Sequence, residues 1–170
     1  MCDFKEVKVL HVEDDVAFGH IVLERLERFK NVKFHVDLTP TLQNAEQLLR
    51  EKSYDVILLD INLPNSRGAD TLIRALAFAN RVAIIVISGV INDEDTVINF
   101  VKFGAQDVYF KHKLNIDELP LRILVGLTRY TMVHSVKPLE ELRQRITAKS
   151  QLAWKQTVHN SMASLRSISG

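Results

Sequence analysis

The sequence predicts an α/β fold, a doubly wound parallel sheet of five strands followed by a C-terminal helical extension. Three observations carry that prediction. Over the first 130 residues, short β-rich runs alternate with helix-periodic stretches, a pattern that right-handed crossovers turn into a parallel sheet with helices on both faces. The runs Tyr54–Leu59 and Val82–Ile87 show almost no polar alternation, as expected of strands covered on both sides. Finally, four runs each end in polar residues of complementary chemistry, namely carboxylates, a hydroxyl and an amine. Val7–Val12 delivers Glu13, Asp14 and Asp15; Val56–Leu59 delivers Asp60; Val82–Ile87 delivers Ser88; Val108–Phe110 delivers Lys111. In an open parallel sheet the carboxyl ends of the strands line one edge, where ligands bind.

Each element follows from local pattern. Val7–Val12 is a short buried strand. A helix over about Val16–Phe29 places Ile21, Val22, Leu26 and Phe29 near helical spacing, with Asp14 or Asp15 as its cap. Lys33–Asp37 reads as the second strand. Thr41–Glu51 is a helix with Leu42, Ala45, Leu48 and Leu49 inward and Thr39 or Thr41 at its start. After the third strand, residues 62–68 form a loop by their Pro64, Asn65, Ser66 and Gly68 content. Ala69–Ala79 is the next helix. Asp93, Glu94 and Asp95 open another, where the helix dipole favours acids. It ends near Phe103 before Gly104, a C-terminal stop glycine. Asp117–Val133 is the fifth helix, with Leu119, Ile123, Leu127 and Tyr130 on one stripe.

Composition sets the class. The chain has 170 residues, 46% hydrophobic and 25% charged, an ordinary globular balance that needs no disulfide or metal to staple its core. The single cysteine, Cys2, cannot form an internal disulfide and fits a reducing cytoplasm. No window reaches the ~18 uninterrupted apolar residues of a membrane span, and the N-terminus lacks the apolar stretch of a signal peptide. The expected location is cytoplasmic, with no membrane partner.

The net charge of +1 hides an asymmetry. Residues 1–133 carry 16 Lys/Arg and 19 Asp/Glu, giving −3, whereas residues 134–170 carry 6 and 2, giving +4. The division expected is therefore a domain over residues 5–133 and a basic, amphipathic helical tail or linker over 134–170. Pro138 suits a first helical turn, and residues 138–165 read as one or two helices. The tail is too short for a helix-turn-helix module of about three helices, so direct DNA binding is not expected.

Taken singly, the strand-end groups have plain readings. Glu13-Asp14-Asp15 can cap a helix, Asp60 can cap the loop at Asn62, Ser88 is an ordinary strand-end serine and Lys111 a surface lysine. Taken together, they can hold a divalent metal, offer a carboxylate nucleophile and neutralise a phosphoryl group. The histidines show no pair at metal-ligand spacing. His11, inside the first strand, reads as a core residue, and His112 lies beside the site.

Val12-Glu13-Asp14-Asp15, Asp60-x-x-Leu63-Pro64-x-x-x-Gly68, Ser88-Gly89 and Gly104-Ala105-Gln106-Asp107 followed by Lys111 resemble the receiver domain of two-component response regulators. The resemblance covers about residues 5–130. It implies a flavodoxin-like fold with strand order 2-1-3-4-5. It also implies that Asp60 is the phosphoacceptor, that Glu13 and Asp14 with Asp60 and the backbone carbonyl of Asn62 hold Mg²⁺, that Ser88 is the switch hydroxyl and that Lys111 is the site amine. Asp15, one position beyond the pair, is expected to cap the helix.

Two positions depart from the family pattern. Val108 stands where the switch aromatic is usual, and Tyr109 beside it should face the other side of the strand, since side chains alternate. His112 follows Lys111 where many receivers have proline. The function expected by resemblance is a phosphorylatable signalling protein rather than an enzyme. Its donor is a histidine kinase or phosphotransfer protein, and its output an interaction with a partner or a second copy through helix 93–103, strand 108–110 and helix 117–133. The alternatives are a docking scaffold that is not phosphorylated, and the receiver portion of a longer multidomain regulator. An FMN-binding or hydrolase-type enzyme lacks its motifs, since no Ser/Thr-rich loop follows the first strand and no Gly-x-Ser-x-Gly elbow occurs.

Overall fold

The computed structural model describes residues 4–79, 81–89 and 94–134. The tail expected to be helical at 138–165 lies outside the described residues, as do Cys2 and Asp93. Among the described residues, the five strands of the main sheet alternate with five helices, namely β1 (Glu6–Val12), α1 (Val16–Glu27), β2 (Lys33–Thr39), α2 (Leu42–Glu51), β3 (Val56–Leu59), α3 (Ala69–Phe78), β4 (Ala83–Ser88), α4 (Glu94–Phe103), β5 (Asp107–Phe110) and α5 (119–134). All pairings within this five-stranded sheet are parallel, in the order β2-β1-β3-β4-β5, the order the resemblance implies. The compact unit that holds the sheet ends at Tyr130, and a second unit begins at Thr131.

Each face of the sheet buries its own apolar layer. Leu10, Val12, Ile57, Leu59, Ile84, Val86 and Val108 pack with Leu42, Ala45, Leu72, Ala75 and Phe100 from α2, α3 and α4. Val7, Val9, Val56, Leu58, Ile85, Ile87 and Tyr109 pack with Val22 and Leu26 of α1 and Leu119, Ile123 and Leu127 of α5. All of β3 and β4 is buried, which explains why those runs lack alternation.

Register places the site. Val12 is level with Leu59, Leu59 with Val86 and Val86 with Val108. The ladder then continues past the strand ends. The Glu13 N–H donates to the Thr39 carbonyl at 2.9 Å, the Asp60 N–H to the Val12 carbonyl at 2.9 Å and the Lys111 N–H to the Ser88 carbonyl at 2.8 Å. Backbone hydrogen bonds thus fix the polar residues that follow three of the strands along one sheet edge.

Several details differ from expectation. Ile21 is half exposed, because α1 turns Phe18, Val22 and Leu26 toward the sheet instead; these are spaced by four residues, nearer the helical period than Ile21 would be. Ser88 is the last residue of β4 rather than the first beyond it. The 62–68 loop contains a tight antiparallel hairpin, Asn62–Leu63 against Ser66–Arg67. The fifth helix starts later, after a 3₁₀ turn at Ile116–Glu118 whose cap is Asn115. Gly104 does end α4, at φ 123°, a backbone conformation that favours glycine.

Candidate phosphoryl-transfer site

Three strand ends bring their side chains to one point. Lys111 Nζ lies 2.7 Å from Asp60 Oδ2 and 2.8 Å from Glu13 Oε1. Its distance to Glu13 Oε2 is 2.7 Å. Alternation explains the meeting. Glu13, Asp60 and Lys111 continue the parity of Val9, Leu58 and Tyr109, the layer that faces α1 and α5. Ser88 continues the parity of Val86 and Ile84 and belongs to the opposite face.

The Asp60 carboxylate is held at both ends. Its Oδ1 accepts the backbone N–H of Asn62 at 2.9 Å, while Oδ2 takes the lysine. The carboxylate therefore caps the turn at Asn62 and also lies beside Lys111. Next along the chain, the Ile61 carbonyl accepts from the Gly68 N–H at 2.8 Å and the buried Thr71 hydroxyl at 3.1 Å. These two bonds lock the turn that carries Asp60 and Asn62.

On the first strand, Glu13 is buried and Asp14 exposed. The Asp15 N–H donates to Glu13 Oε1 at 3.1 Å. Asp15 itself caps α1, its Oδ1 accepting from the Phe18 N–H at 3.1 Å, which resolves the choice between Asp14 and Asp15. One oxygen each from Glu13, Asp14 and Asp60 lies within 4.8 Å of the others.

Electrostatics follow from burial. Desolvation pushes Glu13 up to about 7, with the Lys111 hydrogen bond opposing and the Asp60 charge adding. Burial also works against the Lys111 ammonium, but its hydrogen bonds to Asp60 and Glu13 outweigh it and raise the lysine above its ordinary value. His11 is fully buried and pushed down to about 3, by burial and then by the charge of Lys111. It is neutral, and neither ring nitrogen has a hydrogen-bond partner.

The structure thus gathers Glu13, Asp14, Asp60 and Lys111, with Asn62 exposed at the start of the hairpin. Ser88 is buried at the end of β4 and joined to the site through the backbone of Lys111. His112 is exposed, its ring tilted 46° to that of Phe110 with centroids 5.8 Å apart. Two participants carried no signal as site residues. Phe18 places its ring 4.7 Å from Lys111 Nζ, and Thr71 pins the Ile61 carbonyl.

Comparison with known proteins identifies the family. The family model described as the response regulator receiver domain matches residues 9–123. The chain belongs to that family. It is 35% identical over 118 residues to the cell cycle response regulator CtrA of Brucella ovis, covering 69% of this chain and 48% of that protein. The chain therefore spans about half the length of the curated relatives it matches. The beryllofluoride-activated NtrC4 receiver domain dimer superposes with a TM-score of 0.63 at 26% identity, covering 72% of this chain and 98% of that one. NtrX from Brucella abortus shares the fold, with a TM-score of 0.68 at 21% identity over 79% of this chain and 30% of that one.

As a receiver, the chain keeps an acidic pocket suited to a hard divalent cation, since all its side-chain donors are carboxylate oxygens. Its departures from the family pattern are structural as well. Val108 is buried in the α2/α3/α4 layer. Tyr109 faces the α1/α5 layer, where its hydroxyl donates to Asp107 Oδ2 at 2.6 Å and the Arg122 guanidinium lies 5.2 Å from its ring centroid. Arg129 donates to the same Asp107 oxygen at 2.6 Å. Tyr109 is thus tied to α5 on the face opposite Val108. Among the described residues no peptide bond is cis, Lys111–His112 included.

Proposed function

We propose that Asp60 of this receiver takes a phosphoryl group from the phosphohistidine of a histidine kinase or phosphotransfer protein. The observation that carries the reading is the placement of Lys111 against Asp60 Oδ2 at 2.7 Å, beside the Glu13-Asp14-Asp60 cluster. A buried carboxylate with an adjacent ammonium is a nucleophile beside a group that neutralises the transferring charge. Glu13, Asp14, Asp60 and the Asn62 backbone carbonyl are the residues that would hold Mg²⁺. When bound, the ion relieves the repulsion among the carboxylates and offsets charge on the phosphoryl oxygens.

The remaining roles belong to the chain. The Asn62 N–H orients Asp60, leaving the lysine-bound oxygen to attack. Lys111 moves from carboxylate to phosphoryl oxygen as the negative charge moves. The hydroxyl of Ser88 donates to a phosphoryl oxygen, which shifts β4 and α4. Signalling, rather than turnover of a substrate, is the outcome. The exposed apolar side chains Ile98, Val101 and Phe103 of α4 and Leu121 and Val125 of α5 support output through protein contact, by a partner or a second copy. The division into a receiver over 5–133 and a basic segment over 134–170, and a cytoplasmic site of action, are part of this proposal. Among the described residues no helix is long and apolar enough to cross a membrane.

The test is intact-protein mass after incubation with a small phosphodonor and Mg²⁺, with Asp60→Ala in parallel. One phosphoryl group on the parent and none on the variant is the expected result. Equal addition to both would refute Asp60 as acceptor. No addition to a folded parent that binds Mg²⁺ would favour a docking scaffold, a reading that the missing aromatic at Val108 supports.

A further inference from the structure

We infer that Phe18 is a positioning residue for Lys111, its ring forming the wall that directs the ammonium onto Asp60. Lys111 has carboxylates on two sides, Glu13 and Asp60. A third side is covered by Phe18, whose ring centroid lies 4.7 Å from Nζ. That distance is within the reach of a cation–π attraction, which strengthens as water is removed. The lysine side chain is 19% exposed, so little water competes with the ring.

The ring is itself held in place. Phe18 is the third residue of α1, and its N–H donates to the Asp15 cap. Its ring meets the imidazole of His11 at 69°, with centroids 6.3 Å apart. His11 is fully buried, with no hydrogen bond at either nitrogen, and its Nε2 lies 3.9 Å from Glu13 Oε2, so the imidazole is confined between the ring and the site. The cap fixes the helix end and the buried imidazole abuts the ring. An aliphatic side chain at 18 would fill similar space without an electron-rich face.

The consequence for phosphoryl transfer rests on the function proposed above; the placement of the ammonium does not. In the transfer an Asp60 oxygen bonds to phosphorus. With phosphoramidate as donor the P–N bond breaks, and ammonia leaves with the bonding pair after taking a proton from solution. Lys111 must follow the charge from Asp60 to the phosphoryl oxygens, and the Phe18 face is the surface along which it stays aligned.

Two measurements on metal-free and Mg²⁺-loaded protein test this, using Phe18→Leu and Phe18→Tyr. The first is the NMR resonance of the Lys111 side-chain NH₃⁺ and its exchange with water, in metal-free protein. The second is the phosphorylation rate with phosphoramidate and Mg²⁺. Phe18→Leu is expected to shift the resonance, speed exchange and slow phosphorylation by about three- to tenfold, with Phe18→Tyr restoring all three. A Phe18→Leu protein that folds with unchanged exchange of the Lys111 ammonium overturns the inference, since loss of the ring by itself moves the resonance. So does failure of the tyrosine variant to restore what leucine loses. If the parent takes no phosphoryl group, the proposed function falls, and exchange of the Lys111 ammonium with water still decides the role of Phe18.

Discussion

Lys111 lies as close to Glu13 as to Asp60, at 2.8 and 2.7 Å. A single ammonium therefore compensates two buried carboxylates. Replacing it by the apolar Lys111→Met leaves both without a cation, and breaking a buried pair from one side is costly because the remaining charge is stranded. Proton uptake by Glu13 limits the damage. We expect Lys111→Met to lose about 2 kcal/mol at pH 8 and less at pH 6. Adding Glu13→Gln should recover part of the loss. Urea unfolding of the two variants at both pH values measures this, and an equal loss at pH 6 and pH 8 would contradict it.

The Glu13 carboxyl also sets a pH dependence. Its folded pKa, about 7, is raised above the unfolded value of 4.5. Between those values the folded state binds more protons than the unfolded one, so stability falls as pH rises through that window. The contribution is on the order of 2 kcal/mol, present below about pH 4.5 and lost by about pH 7. Asp37, held low first by the Tyr54 hydroxyl and then by Lys52, has the opposite slope, but it acts below its ordinary value of 3.8 and outside this window. The informative quantity is thus the difference between the parent and Glu13→Gln in metal-free buffer. The parent should lose stability relative to the variant as pH rises from 5 to 7.5. Mg²⁺ affinity should tighten over the same range, since a metal must displace the Glu13 proton.

The two acids that follow Glu13 separate by position. Asp15 caps α1 through the Phe18 N–H, whereas Asp14 belongs to the cluster within 4.8 Å. Asp15→Ala should cost about 1 kcal/mol of stability with Mg²⁺ affinity changed less than about threefold. Asp14→Ala should leave stability the same or higher, by removing charge repulsion, and weaken Mg²⁺ binding by at least about tenfold. Thermal unfolding and metal titration by isothermal calorimetry distinguish the two, and matching metal affinities would refute the division.

Much of this was legible in the sequence, for identifiable reasons. Strand identity followed from β-rich runs such as Val82 to Ile87, whose burial on both faces suppresses alternation. The helices were readable because Leu119, Ile123 and Leu127 recur at helical spacing and all three are buried. The site was readable because parallel strands carry their terminal residues to one edge, and that edge gathers Glu13, Asp60 and Lys111. Asp15 against Asp14 as the cap was open, since both types cap well and only the Phe18 N–H geometry decides. Phe18 and Thr71 were not legible as site residues. Their roles depend on where α1 and α3 sit against the sheet edge, a tertiary relation with no local signature. Ile21 failed because the buried stripe of α1 is centred on Phe18, Val22 and Leu26.

Restoring an aromatic at position 108 should not restore a free switch. Val108 is buried in the layer formed with Ala105 and Phe100, with Val97 packed against it. A phenol there must displace these neighbours, and overpacking a filled core costs about 1–3 kcal/mol. Tyr109 cannot supply the missing ring, because it occupies the other face and is bound to Asp107 beneath Arg122. We therefore expect Val108→Tyr to lower the urea midpoint without raising phosphorylation-dependent change in α4. Tyr109→Phe should cost only about 1 kcal/mol by removing one hydrogen bond and leave phosphorylation unaltered. Amide hydrogen exchange across residues 94–103, with and without phosphodonor, reads the coupling. Protection there that responds more strongly in Val108→Tyr than in the parent would show that valine at this position, rather than the packing around it, limits the switch.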